Sequence, residues 1–548
     1  MKNQKNPKAL RWIVSHTKKF IPQVVLLTAI GIISSFFGTW FFPLSSKWIL
    51  DIATGDAEGE ILTASALLLF LLIASSGLNI FESAIEVRVR SRIDISLKND
   101  FLKTVISRKY DKVIKYHSGN LLNRLTSDVN VITNTIIELV PDVVSLITKL
   151  VTGLVLLFSE SFEFSMILLV VGVSLFSFRR FFSIRAKKIH KQCQEADGDV
   201  RSYFAESLEN LIVVKAFHAN DKVLEKSGIL QTKFFKLKIK RNTLKVFTST
   251  LTKLTFSVTY YAALIWGAFS IAAGTITFGT LTAFLQIINQ VQSPLKNASN
   301  ITMDYYAAIA SAERLIELEE VDGDLPVLEN IGVVSKLVVK NVSFSYDDDY
   351  FPLTDFCMNV KNGEIVGLRG PSGIGKTTLF KLLMGFYIPN KGRIYLQTQD
   401  KTKLRVDSRT RNVFGFVPQG DYVFSGTIRE NIVLGGGEPT AEILEICALN
   451  EFLDSLENGL DTIIGERGIG LSEGQIQRVV IARAIASGAQ ILLFDEFTSA
   501  LDGETEQRIM AQIKKLGKTC IIISHKDTTL YHCDKVVEIG IHDLTHKN

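Results

Sequence analysis

The stretch Glu364–Phe386, EIVGLRGPSGIGKTTLFKLLMGF, decides how the C-terminal half of this chain folds. An apolar β-type run, EIVGL, leads into GPSGIGKTT, and a helix-forming run follows. Gly370, Gly375, Lys376 and Thr377 fall on the required positions of G-x-x-x-x-G-K-[ST]. Glycines in such a loop let successive backbone N–H groups turn toward one anion. The lysine adds a point charge at the outer phosphates, and the threonine hydroxyl can ligate Mg²⁺. Strand–loop–helix is the context that makes this pattern a site. Gly370, Ser372, Gly373, Gly375, Lys376, Thr377 and Thr378 are thereby candidate nucleotide-phosphate contacts.

Downstream, AQILLFDE (489–496) is an apolar strand ending in Asp495 and Glu496. A carboxylate at such a strand end can reach Mg²⁺, and its neighbour can orient or deprotonate an attacking water. Further short β-type runs occur at 337–346, 413–419 and 519–525, with helical stretches between several of them. That alternation predicts an α/β domain with a central, largely parallel sheet over 336–548. Upstream, the Gly-, Pro- and acid-containing EEVDGDLPVLENIG marks a linker over about 319–335.

Residues 1–318 read differently. Apolar segments near 21–47, 61–85, 136–158, 164–183, 248–272 and 277–300 are each long enough to cross a bilayer of about 30 Å. The segments between them alternate in charge. DIATGDAEGE (51–60) holds four acidic residues and no basic one, whereas 86–130 and 179–245 are long and rich in Lys and Arg. The positive-inside rule places those long segments and both termini in the cytoplasm. Their amphipathic patterning predicts helices that continue beyond the bilayer. Glu138, Asp142, Ser145 and Lys149 share one helical face within the third span. Lys253 lies in the fifth span, and Gln286, Asn289, Gln290 and Gln292 lie in the sixth. Intramembrane charge faces a bundle interior or a watered cavity. Either a polar translocation cavity or pairing between helices accounts for the stripe. The fold class is an all-α six-helix transmembrane domain followed by an α/β P-loop ATPase domain.

The remaining motifs make the reading specific. LSEGQ (471–475) closely resembles the LSGGQ signature of ATP-binding-cassette (ABC) proteins, and the whole chain resembles an ABC exporter half-transporter. Alone, Tyr346 reads as a strand aromatic, His525 as a core histidine and Gln419 as a surface amide; their joint order matches the family throughout. The resemblance implies that Tyr346 stacks on adenine. It makes Gln419 the Q-loop glutamine that senses Mg²⁺ or water, GERG (465–468) the X-loop, Asp502 the D-loop residue at a dimer seam, and His525 the γ-phosphate contact. Ser472, Gly474 and Gln475 would bind an ATP held by the other subunit. HSGNLLNRLTSDVNVI (117–132) and ESLENLIVVKAFHAND (206–221) match the coupling helices that dock on ATPase domains. Two departures stand out. Glu473 replaces the usual signature glycine, which is tolerable if its carboxylate points away from the phosphates. Phe497 is bulkier than expected and is placed to alter the D-loop approach.

The expected activity is Mg²⁺-dependent ATP hydrolysis driving efflux of a peptide or amphiphilic small molecule. The partner is a second copy of the chain, with a heterodimer as the alternative. A lipid flippase of the same architecture is the second reading. An ATP-gated channel or regulator fits less well, because such proteins often lose hydrolytic residues at one site. A net charge of +5 with no basic patch argues against nucleic acid. None of the five cysteines forms a CxxC pair or a zinc-like spacing, which fits reduced cytoplasmic thiols. About 20 residues precede the first span, so neither a cleavable signal nor an N-terminal peptidase domain is expected. Lys-, Ile- and Phe-rich usage fits a bacterial plasma-membrane protein.

Overall fold

The computed structural model describes residues 5–116, 118–160, 192–346, 353–420, 422–465, 468 and 470–540, with isolated positions between 162 and 189. Apart from Ser165 and Met166, the fourth apolar segment lies outside the described residues, as do X-loop residues Glu466 and Arg467 and the Gln292 side chain. Contacts divide the chain into two units. One comprises Met1–Leu102 and Leu121–Glu317; the other comprises Lys103–Asn120 and Leu318–Asn548.

The first unit is helical. Among the described residues, four helices are long and apolar enough to cross a membrane: α1 (Pro7–Thr54), α2 (Ile61–Ser107), α4 (Ser118–Ser159) and α5 (Asn220–Ala272). The sixth apolar segment lies in α6 (Phe278–Glu319). At 47 and 53 residues, α2 and α5 are each more than about 70 Å long, over twice the hydrocarbon thickness. The basic segments after the second span and before the fifth therefore continue these helices, because their apolar positions keep the helical period. Two π turns, Arg124–Asp128 and Thr135–Leu139, interrupt α4. The first buries Arg124 and Asp128 at the centre of a charge network. Arg124 donates to the Arg314 carbonyl (2.6 Å) and to Glu317 (3.0 Å), while Asp128 accepts from Ser311 (3.0 Å) and pairs with Arg314. These bonds tie α4 to the end of α6.

Part of the polar stripe in the third span is paired. Glu138 accepts from Arg90 of α2 at 2.8 Å, and the Ser145 hydroxyl lies 2.6 Å from that of Ser35. Asp142 and Lys149 both interact electrostatically with Glu82 of α2. Pairing between helices thus accounts for two of the four positions.

The second unit has two main sheets, besides a short antiparallel ribbon of β7 (Gly426–Thr427) and β8 (Ile463–Ile464). Strands β1 (Val334–Phe344), β2 (Leu353–Lys361), β4 (Lys391–Thr398) and β5 (Lys403–Arg405) form an antiparallel sheet of order β2-β1-β4-β5. Strands β3 (Ile365–Arg369), β6 (Phe414–Val417), β9 (Ile491–Asp495), β10 (Thr519–Ile523) and β11 (Lys535–Glu538) form a parallel sheet of order β11-β3-β10-β9-β6. The expected parallel sheet is present, but the run at 337–346 belongs to the antiparallel one. The burial patterns explain the split. β2 is buried at roughly alternate residues, as a one-sided antiparallel strand is, whereas β9 and β10 are buried throughout.

Two sequence boundaries change. The stretch read as a linker is bonded along its length: Asp324 N–H donates to the Ser107 carbonyl (2.9 Å), Lys109 N–H to the Asp322 carbonyl (3.0 Å), and Leu325 N–H to Ser408 (2.9 Å). Arg411 pairs with Asp324 at 2.8 Å. The short helix packed within the ATPase unit is α3 (Tyr110–Val113), just upstream of the 117–132 segment expected to dock there. Its Tyr110 ring lies against Phe386, with centroids 4.7 Å apart. Residues 121–132 belong to the helical unit.

Candidate active site

The phosphate loop joins β3 to α7 (Lys376–Leu383). Gly373 and Gly375 have φ of 81° and 100°, a region that a side chain disfavours. Helix α7 is held by Leu379, Phe380, Leu382 and Leu383, all buried with the antiparallel sheet. Lys376 is 7% exposed, and its ammonium donates to the Gly370 (2.7 Å) and Pro371 (3.0 Å) carbonyls. Burial pulls its pKa below the ordinary lysine value, against the opposing pull of Glu496 and Asp495.

Four predicted residues meet at this loop. His525 Nε2 lies 3.1 Å from Lys376 Nζ and 3.4 Å from Glu496 Oε1. Gln419 Nε2 donates to Glu496 Oε2 at 2.7 Å. Glu496 has a left-handed backbone (φ 47°), and its N–H donates to the Ile523 carbonyl at 3.0 Å. Such strain in a non-glycine residue persists only where the surroundings fix it. Here it turns the chain at the end of β9 and sets the carboxylate beside Gln419 and His525.

Asp495 lies one residue earlier and is 1% exposed. Its carboxyl takes a hydrogen bond from Thr377, while Oδ2 is buried without a hydrogen-bond partner. Burial raises its pKa, with the Thr377 hydrogen bond acting the other way. A buried, orphaned carboxylate oxygen beside a hydroxyl suits a hard divalent cation. Among the described residues there is no cluster of three or more His, Cys, Asp or Glu able to hold a metal. Mg²⁺ would therefore depend on phosphate oxygens as well as on Thr377 and Asp495, its usual mode with nucleotides. Gln419 is bonded to Glu496 rather than to this pair.

Tyr346 is half exposed, and its hydroxyl lies 3.1 Å from that of Thr378, so it borders the phosphate loop. The signature is built elsewhere. Ser472 caps α9 (Glu473–Ala486) in a reciprocal box: its Oγ accepts from Gln475 N–H (3.3 Å), and Gln475 Oε1 accepts from Ser472 N–H (2.8 Å). Helix α9 is anchored by Ile476, Val479 and Val480, together with Ile428 and Ile432 of α8 (Ile428–Val433), in a second apolar core, distinct from that beneath α7. Gly474 approaches the backbone at Ala500: a Cβ there would stand 2.8 Å from the Ala500 carbonyl oxygen. Asp502 caps α10 (Gly503–Lys515), accepting from Thr505 N–H at 2.9 Å.

Two family models match the chain. The one described as "ABC transporter transmembrane region" matches residues 23–295, and the one described as "ABC transporter" matches residues 353–499. This chain is an ABC transporter. An "ATP-dependent lipid A-core flippase" of Syntrophus aciditrophicus (strain SB) is 26% identical over 95% of this chain and 88% of its own length. A "Multidrug resistance ABC transporter ATP-binding and permease protein" of Lactococcus lactis subsp. lactis (strain IL1403) is 27% identical over 95% and 90%. The fold matches that of a bacterial Atm1-family ABC exporter solved with ATP bound, with TM-score 0.77, 22% identity and coverage of 96% and 94%. The expected architecture is therefore present, and the transporter is an ATP-binding, ATP-hydrolysing membrane protein of the exporter type.

The transporter also contains supports that motif spacing does not reveal. Gln477 donates to Ser499 Oγ (3.0 Å) and accepts from Ala500 N–H (3.3 Å), lacing α9 to the segment before Asp502. Lys526 donates to the Thr498 carbonyl (2.6 Å) and to Glu506 (2.9 Å), and Glu506 also accepts from Thr528 (2.8 Å) and Thr529 (2.6 Å). Burial pushes the Glu506 carboxyl up, but these hydrogen bonds outweigh it and leave the pKa below the usual glutamate value. Its stabilising effect is therefore full above the ordinary glutamate range and is lost as pH falls through the lowered value. Glu506→Gln should destabilise the protein by about 1–3 kcal/mol at neutral pH, between the exposed-pair and buried-pair ranges. Thermal unfolding should show this deficit shrinking as the parent is taken toward acid pH.

Two departures from the signature region resolve simply. Glu473 is exposed in the first turn of α9, where a carboxylate favours the helix N-terminus by about 0.3–1 kcal/mol. Glu473→Gly should keep ATPase turnover within about two-fold while lowering stability by about 0.5–1 kcal/mol. Clearly faster turnover in that variant would mean that the carboxylate opposes closure. Phe497 is 1% exposed and lies on Phe494 in the core, with centroids 4.5 Å apart. Its bulk is absorbed inside the domain rather than presented at the D-loop.

Proposed function

We propose that this chain is an ATP-driven exporter that works as a homodimer and moves an amphiphilic cargo, a peptide or small molecule, out across the bacterial cell membrane. The observation that carries the reading is the meeting of Lys376, His525, Glu496 and Gln419 at the phosphate loop. The amides of Gly370–Thr378 and the Lys376 ammonium bind the phosphates, and Tyr346 stacks on adenine. Glu496, oriented by Gln419, accepts the proton of the attacking water, and His525 donates toward the γ-phosphate. Thr377 and Asp495 would hold Mg²⁺, which would supply charge neutralisation at the phosphates.

Ser472, Gly474 and Gln475 of the second copy complete each site, and Asp502 lies at the seam. The anchoring of α7 and α9 in separate cores supports this division, since neither helix reaches the other's ligand by local packing. So does the one-turn helix Leu211–Ala216, which exposes Ile212 at 80% and the adjoining Phe217 at 78%. Apolar side chains so exposed at the tip of a helical arm suit docking on the ATPase unit of a partner. ATP-driven closure then turns the membrane helices outward, and hydrolysis resets them. Both termini lie in the cytoplasm.

The flippase names of several relatives favour a second reading, with lipid as the cargo. One experiment separates the two. ATPase activity of the protein in lipid discs is screened against peptides and amphiphiles, with Glu496→Gln as the blank, and hits are tested for uptake into inverted vesicles. Stimulated hydrolysis with uptake supports export. ATP-dependent lipid translocation without amphiphile uptake supports the flippase. Ion current without stoichiometric ATP use overturns both.

A further inference from the structure

We propose that Tyr387 and Tyr110 are positioning residues for Tyr346, forming a ring relay that couples adenine recognition to the segment continuing the second membrane helix. This rests on the reading of Tyr346 as the adenine platform.

Tyr346 lies two residues beyond the end of β1 and is half exposed, with the Lys381 ammonium 6.0 Å from its ring centre, and neighbouring rings set its orientation. Its ring meets Phe344 edge-on (5.0 Å, 85°) and Tyr387 edge-on (5.2 Å, 88°). Tyr387, just beyond α7, meets Tyr110 in the same manner (6.1 Å, 85°). Tyr110 in turn lies on Phe386, which packs against the core beneath α7 and also meets the Arg411 guanidinium, 4.6 Å from the ring centre. Burial, with Tyr346, Tyr110 and Asp111 alongside, pushes the Tyr387 phenol up to about 12, so the relay stays uncharged.

Tyr110 is not free to drift. It opens α3 directly after α2 ends at Ser107, and Lys109 pairs with Asp322 at 3.0 Å. Two backbone hydrogen bonds clip 107–109 to 322–324, just beyond the end of α6. A displacement of α2 or α6 is thereby transmitted to Tyr110, and through two ring contacts to Tyr346. Edge-on aromatic contacts of this kind each correspond to roughly a two- to ten-fold change in an equilibrium constant. By reciprocity, a base seated on Tyr346 biases the pose of Tyr110 to the same extent.

The test uses the full-length protein in lipid discs. KM and kcat for ATP are measured together with inhibition by inorganic triphosphate, which has no base. Tyr387→Leu should raise KM for ATP about three- to ten-fold, with kcat within about two-fold and triphosphate inhibition unchanged. Tyr387→Phe keeps the ring and should behave as the parent. Tyr110→Ala should also raise KM for ATP, and should add little in the Tyr387→Leu background, because the relay is already broken. Equal losses for ATP and triphosphate, or fully additive effects of the two substitutions, would overturn the relay. Tyr346→Ala separates the two levels. If it leaves KM for ATP unchanged, the adenine reading itself fails. If it raises KM while the other substitutions do not, only the relay fails.

Discussion

Glu496→Gln is expected to bind ATP as the parent does and to hydrolyse it about 10²–10⁴-fold more slowly, the range for loss of a positioned general base. The amide has the shape of the carboxylate, and the left-handed backbone at 496 treats the two residues alike, so the fold is unaffected. What disappears is the proton acceptor. In the parent, Gln419 holds one carboxylate oxygen at 2.7 Å and His525 lies 3.4 Å from the other. A carboxylate held on both sides is oriented as well as basic. The glutamine amide oxygen can still accept from Gln419, but neither amide atom is basic enough to take the proton of the water. The measurement is phosphate release in lipid discs alongside retention of labelled ATP after rapid gel filtration. Retained ATP with release near background is the expected pair of results. Near-parental release would remove Glu496 from the role of base and point to Asp495 or to solvent.

The chemistry of this protein was more legible in its sequence than the mechanics. Gly370–Thr378, Asp495 and Glu496 announce themselves because phosphate binding and water activation need particular groups at the ends of strands of one parallel sheet. The sheet registers that bring β3, β9 and β10 side by side then place them together. The long helices were legible too, since an apolar period sustained past the bilayer has no other stable form. By contrast, Tyr110 against Phe386, and Asp324 against Arg411, join residues far apart in the chain through single side chains that carry no periodic signal. The stretch 319–335 looked like a linker because its Gly, Pro and acidic residues do not build a helix or strand. Its backbone groups nevertheless find partners at 107–109 and 408–409, as groups withdrawn from water must. The same limit hid Glu506 and Lys526: a glutamate on one helix and a lysine 20 residues further along the chain each look like solvated surface until the fold brings them together.

Gly474→Val should abolish turnover while sparing the affinity of the phosphate loop. A Cβ at 474 would stand 2.8 Å from the Ala500 carbonyl oxygen, a backbone atom that cannot rotate away. Nor can that segment easily retreat, because Gln477 bonds both Ser499 and Ala500. The start of α9 must move instead, carrying Ser472 and Gln475 out of their reciprocal cap. A displacement of about 1 Å at a reacting centre costs about 10²-fold in rate. Helix α7 rests in a different core, so ATP binding measured by calorimetry should be close to that of the parent. Mixing gives the decisive comparison. A Gly474→Val chain retains its phosphate loop, and a Lys376→Ala chain retains its signature. If each site is shared between two copies, a mixed dimer contains one undamaged site, and co-reconstituted protein should hydrolyse ATP where either variant alone does not. If each chain completes its own site, every site in the mixture is damaged and the activity stays at background.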